Sequence, residues 1–236
     1  MSPERLVIAD SAALADAAAV WIAAAIEADV RDRGRCAMAL SGGTTPRPVY
    51  ERLARAPLAS RIAWRSVAIY FGDERAVSPS DPQSNYAMAR AVLLDRVSLP
   101  AGQVYRMEAE RADLGAAARD YDRLLPDRLD LLLLGMGADG HTASLFPGSP
   151  VLDERRRRVA PATGPAAPRE RLTITPPVIA AARRVAVLIA GAEKAATVAR
   201  VLHGPARPRE LPVQLALGGT WFVARDAAAL LAEAMA

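Results

Sequence analysis

Four consecutive leucines, Leu131–Leu134, empty into the segment GMGADGH at residues 135–141. Four apolar residues in a row leave no face for water, so the run is predicted to be a strand covered on both sides, as in a parallel sheet between helices. The loop that follows then lies at the carboxyl end of that sheet, where open α/β folds form their ligand crevices. Gly135, Gly137 and Gly140 allow a sharp turn and close approach to a ligand. Asp139 and His141 are presented two residues apart, where an acid can steer an imidazole that takes a proton. A lone loop histidine is usually no more than a polar surface residue. Three glycines at a buried strand exit are costly without a need for close approach, and they shift the reading toward a functional loop.

The rest of the chain alternates in the same way. Residues 11–30 read as an amphipathic helix with Leu14, Ala18, Trp21, Ala25 and Ala28 on one stripe, capped by Asp10 or Ser11 and stopped by Gly34. Cys36–Leu40 reads as a strand, followed by SGGTTP, with Thr45 as cap and Pro46 at the first helical position. Such a turn offers free N–H groups and a helix dipole to an anion. Its spacing matches neither a dinucleotide fingerprint nor a Walker loop, and an ordinary tight turn would look the same. Val67–Phe71 is the next strand; it runs into Gly72, Asp73, Glu74 and Arg75, read as a loop, with a helix predicted from Asp81–Pro82 toward Leu94. A helix is expected over 113–125. PATGPAAPRE reads as an exposed connection before a strand at Arg171–Ile174, and Thr175 and Pro176 start a short helix. Val185–Ala190 is a strand leading to GAEKAATVARVL, with Lys194 in the first helical turn. A last strand at Thr220–Val223 precedes an Ala-rich terminal helix. This alternation predicts an α/β, three-layer Rossmann-like fold with a mostly parallel sheet flanked by helices. It is expected as a single domain over 1–236 with a small subdomain around 151–175.

Composition narrows the function. The single cysteine, Cys36, excludes an internal disulfide and a cysteine-rich metal site. The Ala-rich first helix carries Asp16, Glu27 and Asp29, which argues against a membrane span, and MSPERLVIAD lacks a signal peptide's pattern, so a cytoplasmic protein is expected. The net charge of +4 comes from dispersed cations mixed with acids, and Arg155–Arg158 lacks aromatic neighbours, so nucleic acid is not an expected partner. Of the 30 Lys and Arg residues, only Lys194 is lysine. A compact ammonium kept where the chain otherwise uses arginine suggests a position that a planar guanidinium does not serve. At a helix start its charge opposes the dipole, and an anion nearby would explain it.

Taken together, SGGTTPRPVY, FGDERAVSPSDPQSNY, LLLLGMGADGHTASLFPGSP and VLIAGAEKAATV resemble the 6-phosphogluconolactonase family in order and wording, over about Leu40 to Val201. The GADGHTASLFPGSP segment is the most specific, whereas SGGTTP and GDER are shared with glucosamine-6-phosphate deaminases. In those, the Asp-Gly-His loop continues with an Asn-Glu-Pro type sequence that supplies a further acid. Here Thr142, Ala143 and Ser144 follow His141, which counts against the deaminase alternative. A sugar-phosphate-sensing domain is a further alternative, disfavoured because a single helix precedes the first strand read here.

The resemblance implies hydrolysis of a phosphosugar lactone, a small-molecule substrate. No metal or cofactor is expected, because the ester is already activated and the sequence offers no His/Cys/Asp cluster of ligand spacing, and a monomer is the expectation where the sequence leaves the oligomeric state open. His141 would be general base and then acid, with Asp139 orienting it. Resemblance and placement point to Arg75 and Lys194 for the phosphate, with donors from Gly42, Gly43 and Thr44. Arg171 is a further candidate. Asp73 would bind a sugar hydroxyl or fix Arg75. Ser144 lacks the G-x-S-x-G elbow of a covalent nucleophile.

Overall fold

The computed structural model describes residues 3–231. Its elements are β1 (Arg5–Ala9), α1 (Ser11–Arg33), β2 (Cys36–Leu40), α2 (Pro46–Leu53), α3 (Leu58–Arg61), β3 (Val67–Phe71), β4 (Asp73–Arg75), α4 (Asn85–Val92), α5 (Leu114–Leu124), β5 (Leu131–Gly135), β6 (Val159–Thr163), β7 (Glu170–Ile174), α6 (Pro176–Ala181), β8 (Arg184–Ile189), α7 (Ala195–His203) and β9 (Thr220–Ala224). Six strands form a sheet in the order β1-β9-β8-β5-β2-β3, parallel throughout. Helices flank it, and Leu131–Leu134 are fully buried at its centre. The fold is therefore α/β and Rossmann-like, with a parallel sheet between helical layers.

Helix α1 starts at Asp10, whose carboxylate accepts from the Ala13 N–H, and ends at Gly34 in the left-handed region at φ 72°. By length and apolar content it would suffice to cross a membrane. Its Leu14, Ala18, Ile22 and Ile26 are instead buried, and the helix packs on β1, β2, β9 and α2. The stripe centres on Ile22 and Ile26, while Trp21 and Ala28 lie at its margin. Asp29, one of the charges read as arguing against a membrane span, is buried; its carboxylate accepts from Arg33 and from Arg184 at 2.6 Å.

Several elements differ from expectation. The GDER segment is partly strand: β4 pairs antiparallel with β7, and β7 with β6, in a second, three-stranded sheet. Gly72 is the joint, donating to Leu40 O in the main sheet and accepting from Ile174 N beside the small one. Residues 159–163 pair as β6, so the Pro- and Ala-rich segment is partly strand and partly a hairpin loop. Pro161 is tolerated because β6 is an edge strand. Helix α4 begins at Asn85 rather than at 82, because the Ser84 hydroxyl caps it by accepting from Ala87 N, while Asp81 only closes a turn onto Gln83 N. Thr45 precedes Pro46 but makes no side-chain cap bond. Edge strand β1 escaped the sequence reading because its five residues do not alternate cleanly. The expected terminal helix is replaced over 225–231 by turns, and its remainder lies outside the described residues.

Candidate active site

Parallel pairing puts the carboxyl ends of β8, β5, β2 and β3 side by side, so the four loops singled out by sequence adjoin one another. The chain leaves β2 for β3 on one side and returns to β5 on the other. That reversal between β2 and β5 is where a crevice is expected. A cavity of about 330 Å³ opens there, lined among others by Gly42, Gly43, Thr44, Asp73, Arg75, His141, Arg171 and Lys194. Of the residues proposed from sequence, only Asp139 lies outside the lining, on a neighbouring hollow.

Asp139 nonetheless reaches His141. Its Oδ1 is 2.5 Å from His141 Nδ1 and accepts the His141 backbone N–H at 3.0 Å. Burial works to raise the Asp139 pKa, but the hydrogen bonds from His141 outweigh it, and the carboxyl is held below its ordinary value. An ionised carboxylate at Nδ1 holds the proton on that nitrogen and leaves Nε2 with its lone pair. The ring packs against Phe146, centroids 4.7 Å apart, and over Gly137, where a Cβ would fall 2.1 Å from Cε1. Gly137 N also donates to His141 O, closing the turn that carries the ring.

Cations gather on another part of the wall. Arg75 and Arg171 are direct partners across β4 and β7, a pairing of like charges that is unfavourable without an anion. Neither makes an ion pair among the described residues; Arg75 donates to Gln83 O, and the Nε atoms of both are buried without a partner. Burial, with Arg75 adding to it, lowers the Arg171 pKa. Lys194 is not in a first helical turn: it ends a 3-10 turn, Ala192–Lys194, and stands at the cap position of α7. Burial lowers its pKa against the pull of Glu193 and Asp226. The backbone N–H groups of Gly42, Gly43 and Thr44 have no protein acceptor among the described residues, and Gly43 has φ 97°. Three cations and a turn of free donors thus line one cavity, an arrangement whose charge and donors suit an anion.

The third part of the wall was read less completely from sequence. Asp73, 8% exposed, faces Ser144 and Asn85 rather than Arg75: it accepts from Ser144 Oγ at 2.7 Å and from Asn85 Nδ2 at 3.0 Å. Glu74, next in sequence, turns away and accepts from Arg75 N, Asn85 N, Tyr86 N and Ser84 Oγ, tying β4 to the start of α4. Ser41, Asn85 and Phe146 also line the cavity and were missed as site residues. They fall within the segments compared, but an Asn at a helix start carries no signal of its own. Ala143, at φ 48°, is the one non-glycine in the left-handed region among the described residues; this strain on the cavity wall turns the chain from His141 to Ser144.

The opposite edge of the sheet holds a group that the spacing along the chain did not reveal. Ligand atoms of Asp29, Cys36 and Asp130 lie within 4.8 Å of one another. Both carboxylates are already engaged, Asp29 by Arg33 and Arg184, Asp130 by Arg33, Arg183 and Ala37 N. Burial pushes the Cys36 thiol pKa up, with Asp29 adding to it. The group is an ion-pair knot.

Comparison with known proteins agrees with this geometry. Residues 9–223 match the model of the family described as glucosamine-6-phosphate isomerases/6-phosphogluconolactonase. A 6-phosphogluconolactonase of Synechocystis is 37% identical, with 91% of each chain covered. The solved 6-phosphogluconolactonase of Trypanosoma brucei superposes with a TM-score of 0.84 at 29% identity, covering 96% of this chain and 98% of that one. A monomeric glucosamine-6-phosphate deaminase gives the same TM-score at 23% identity, covering 96% and 99%, a likeness of fold alone. The chain belongs to the glucosamine-6-phosphate isomerase/6-phosphogluconolactonase family.

Proposed function

We propose that the protein hydrolyses 6-phospho-D-glucono-1,5-lactone to 6-phosphogluconate, the lactone step of the oxidative pentose phosphate pathway. The observation that carries this reading is one cavity holding an imidazole fixed by a carboxylate together with an anion site built from Arg75, Arg171, Lys194 and the Gly42–Thr44 donors. The phosphate end of the substrate binds at the cations, and that remote binding energy positions the lactone carbon near His141. Nε2 takes a proton from water as its oxygen adds to C1. As the C1–O5 bond breaks, the imidazolium returns the proton to O5, so one residue serves as base and then acid. Asp139, held ionised, stabilises the imidazolium between the two steps. The three-stranded sheet contributes Arg75 and Arg171 to the same cavity, so it acts as a subdomain of one lactonase domain.

The deaminase alternative needs a further acid for ring opening. Among the described residues lining the cavity, Asp73 is the single carboxylate, and it is held by Ser144 and Asn85. The test is to supply freshly generated lactone and follow acid release above the spontaneous rate, with ammonia release from glucosamine 6-phosphate measured in parallel. Lactone hydrolysis that drops on the order of 10²- to 10⁴-fold in a folded His141→Asn variant is the expected outcome. Ammonia release without lactone hydrolysis would overturn the assignment.

A further inference from the structure

Asn85 is 2% exposed, and its side chain is only half satisfied. Its amide nitrogen donates to Asp73 O at 2.8 Å and Asp73 Oδ1 at 3.0 Å. Both partners are acceptors, so the amide cannot be turned over, and the oxygen must be the other atom. That oxygen is buried without a hydrogen-bond partner, in a residue that lines the cavity. It lies against Gly42, where a Cβ would stand 1.8 Å from it, so the glycine is what admits the amide here.

Ser41, the residue before Gly42, repeats the pattern. Tyr50 Oη holds both its backbone groups, accepting from the N–H at 2.9 Å and donating to the carbonyl at 2.9 Å, while the Oγ of Ser41, itself a cavity-lining residue, is buried and unpartnered. Two orphaned polar atoms on neighbouring parts of one wall are costly unless a ligand completes them. The chemistry of that ligand is restricted. An amide oxygen beside the Asp73 carboxylate repels a phosphate or a lactone carbonyl oxygen and accepts only from a donor. A hydroxyl fits, giving its hydrogen to Asn85 Oδ1 and accepting from Ser41 Oγ–H.

We propose that Asn85, with Ser41 beside it, is a specificity-determining site that binds one secondary ring hydroxyl of the phosphosugar lactone. This rests on the lactonase reading. It divides the cavity into a cationic part for phosphate and an acceptor part for the polyol. A site built to hold a hydroxyl rejects the analogue that lacks it, because its own polar atoms are then left unpaired.

The experiment compares kcat/KM for 6-phosphogluconolactone with its 2-deoxy, 3-deoxy and 4-deoxy analogues, in the wild type, in Asn85→Ala and in Ser41→Ala. The wild type is expected to disfavour one analogue by roughly 10- to 100-fold. That ratio should fall toward unity in Asn85→Ala and fall in part, at the same hydroxyl, in Ser41→Ala. A purely structural role through Asp73 would lower the rates on all four lactones alike and leave the ratios intact, which would overturn the proposal. So would a wild type indifferent to every analogue. Ser41→Ala removes an oxygen with no protein partner, so it decides the matter even where Asn85→Ala does not fold. A wild type inactive on the parent lactone would overturn the lactonase reading itself, and this inference with it.

Discussion

A methyl group at position 137 would collide with the imidazole on which the proposed chemistry turns. Its Cβ would stand 2.1 Å from His141 Cε1, 2.2 Å from Nδ1 and 2.8 Å from Asp139 Oδ1, the atoms that set the ring's place and tautomer. Gly137 has no positive φ, so alanine fits the backbone and the conflict is confined to the side chains. Gly137→Ala is therefore expected to lower kcat on the lactone by at least about 100-fold, the scale of general acid–base catalysis, with the unfolding midpoint little changed. Full turnover in that variant would show that the ring is not held where the proposed mechanism needs it. Gly42 illustrates the same dependence on a missing side chain at Asn85.

At the level of elements, the turn between β8 and α7 does the work that sequence reading assigned to the helix alone. Gly191, at φ 114°, lets the chain leave the strand and fold Glu193 back over it, and the 3-10 turn then delivers Lys194 to the cavity. Burial holds the ammonium pKa below the ordinary lysine value, so the free protein loses this charge at a lower pH than an exposed lysine would. In its proposed phosphate-binding role the charged form is the one a phosphate dianion selects. Affinity should therefore be full at neutral pH and weaken as pH rises toward the reference lysine value of about 10.4. Titration calorimetry with 6-phosphogluconate avoids the lactone's spontaneous hydrolysis in base. Lys194→Arg is expected to bind more weakly at neutral pH but with little change over the same alkaline range, because a guanidinium stays charged. Identical alkaline profiles for the two proteins would remove Lys194 from the phosphate site.

Across the whole molecule the parallel sheet separates stability from chemistry. Its carboxyl edge carries the cavity, while the ion-pair knot of Asp29 and Asp130 with Arg33, Arg183 and Arg184 joins α1 to the opposite ends of the strands. Asp29 is buried, but Arg33 and Arg184 are about a third exposed and can recover water when it is removed. Asp29→Asn should then cost about 1.5–3 kcal/mol of unfolding free energy, the range for hydrogen bonds to charged groups, short of the loss expected for stranding a buried charge. Chemical denaturation measures the first quantity. Activity per folded molecule should match the wild type, and a selective loss of kcat would show that the knot reaches the catalytic edge.

What could be read along the chain was whatever depends on neighbours in sequence. The Leu131–Leu134 run, the Asp10 and Gly34 ends of α1 and the glycine-rich strand exits are local, because burial on both faces, capping and positive φ each leave a mark within a few residues. The cluster of His141, Arg75, Lys194 and the Gly42–Thr44 turn was anticipated because parallel strands place their exits on one edge; Arg171, read at the start of a strand, reaches the same cavity through the antiparallel β4–β7 pairing. That β8, β5, β2 and β3 are adjacent was not anticipated, since strand order is set by packing at long range. Strand β7 was read from the sequence, but its partners β4 and β6 were hidden by their shortness and by Pro161, and only pairing makes them regular. Asn85, Ser41 and Ser144 owe their place at the cavity to contacts across the fold, from Asn85 and Ser144 to Asp73 and from Ser41 to Tyr50. A polar side chain shows its partners only once tertiary structure has taken it out of water, because until then water satisfies it equally well.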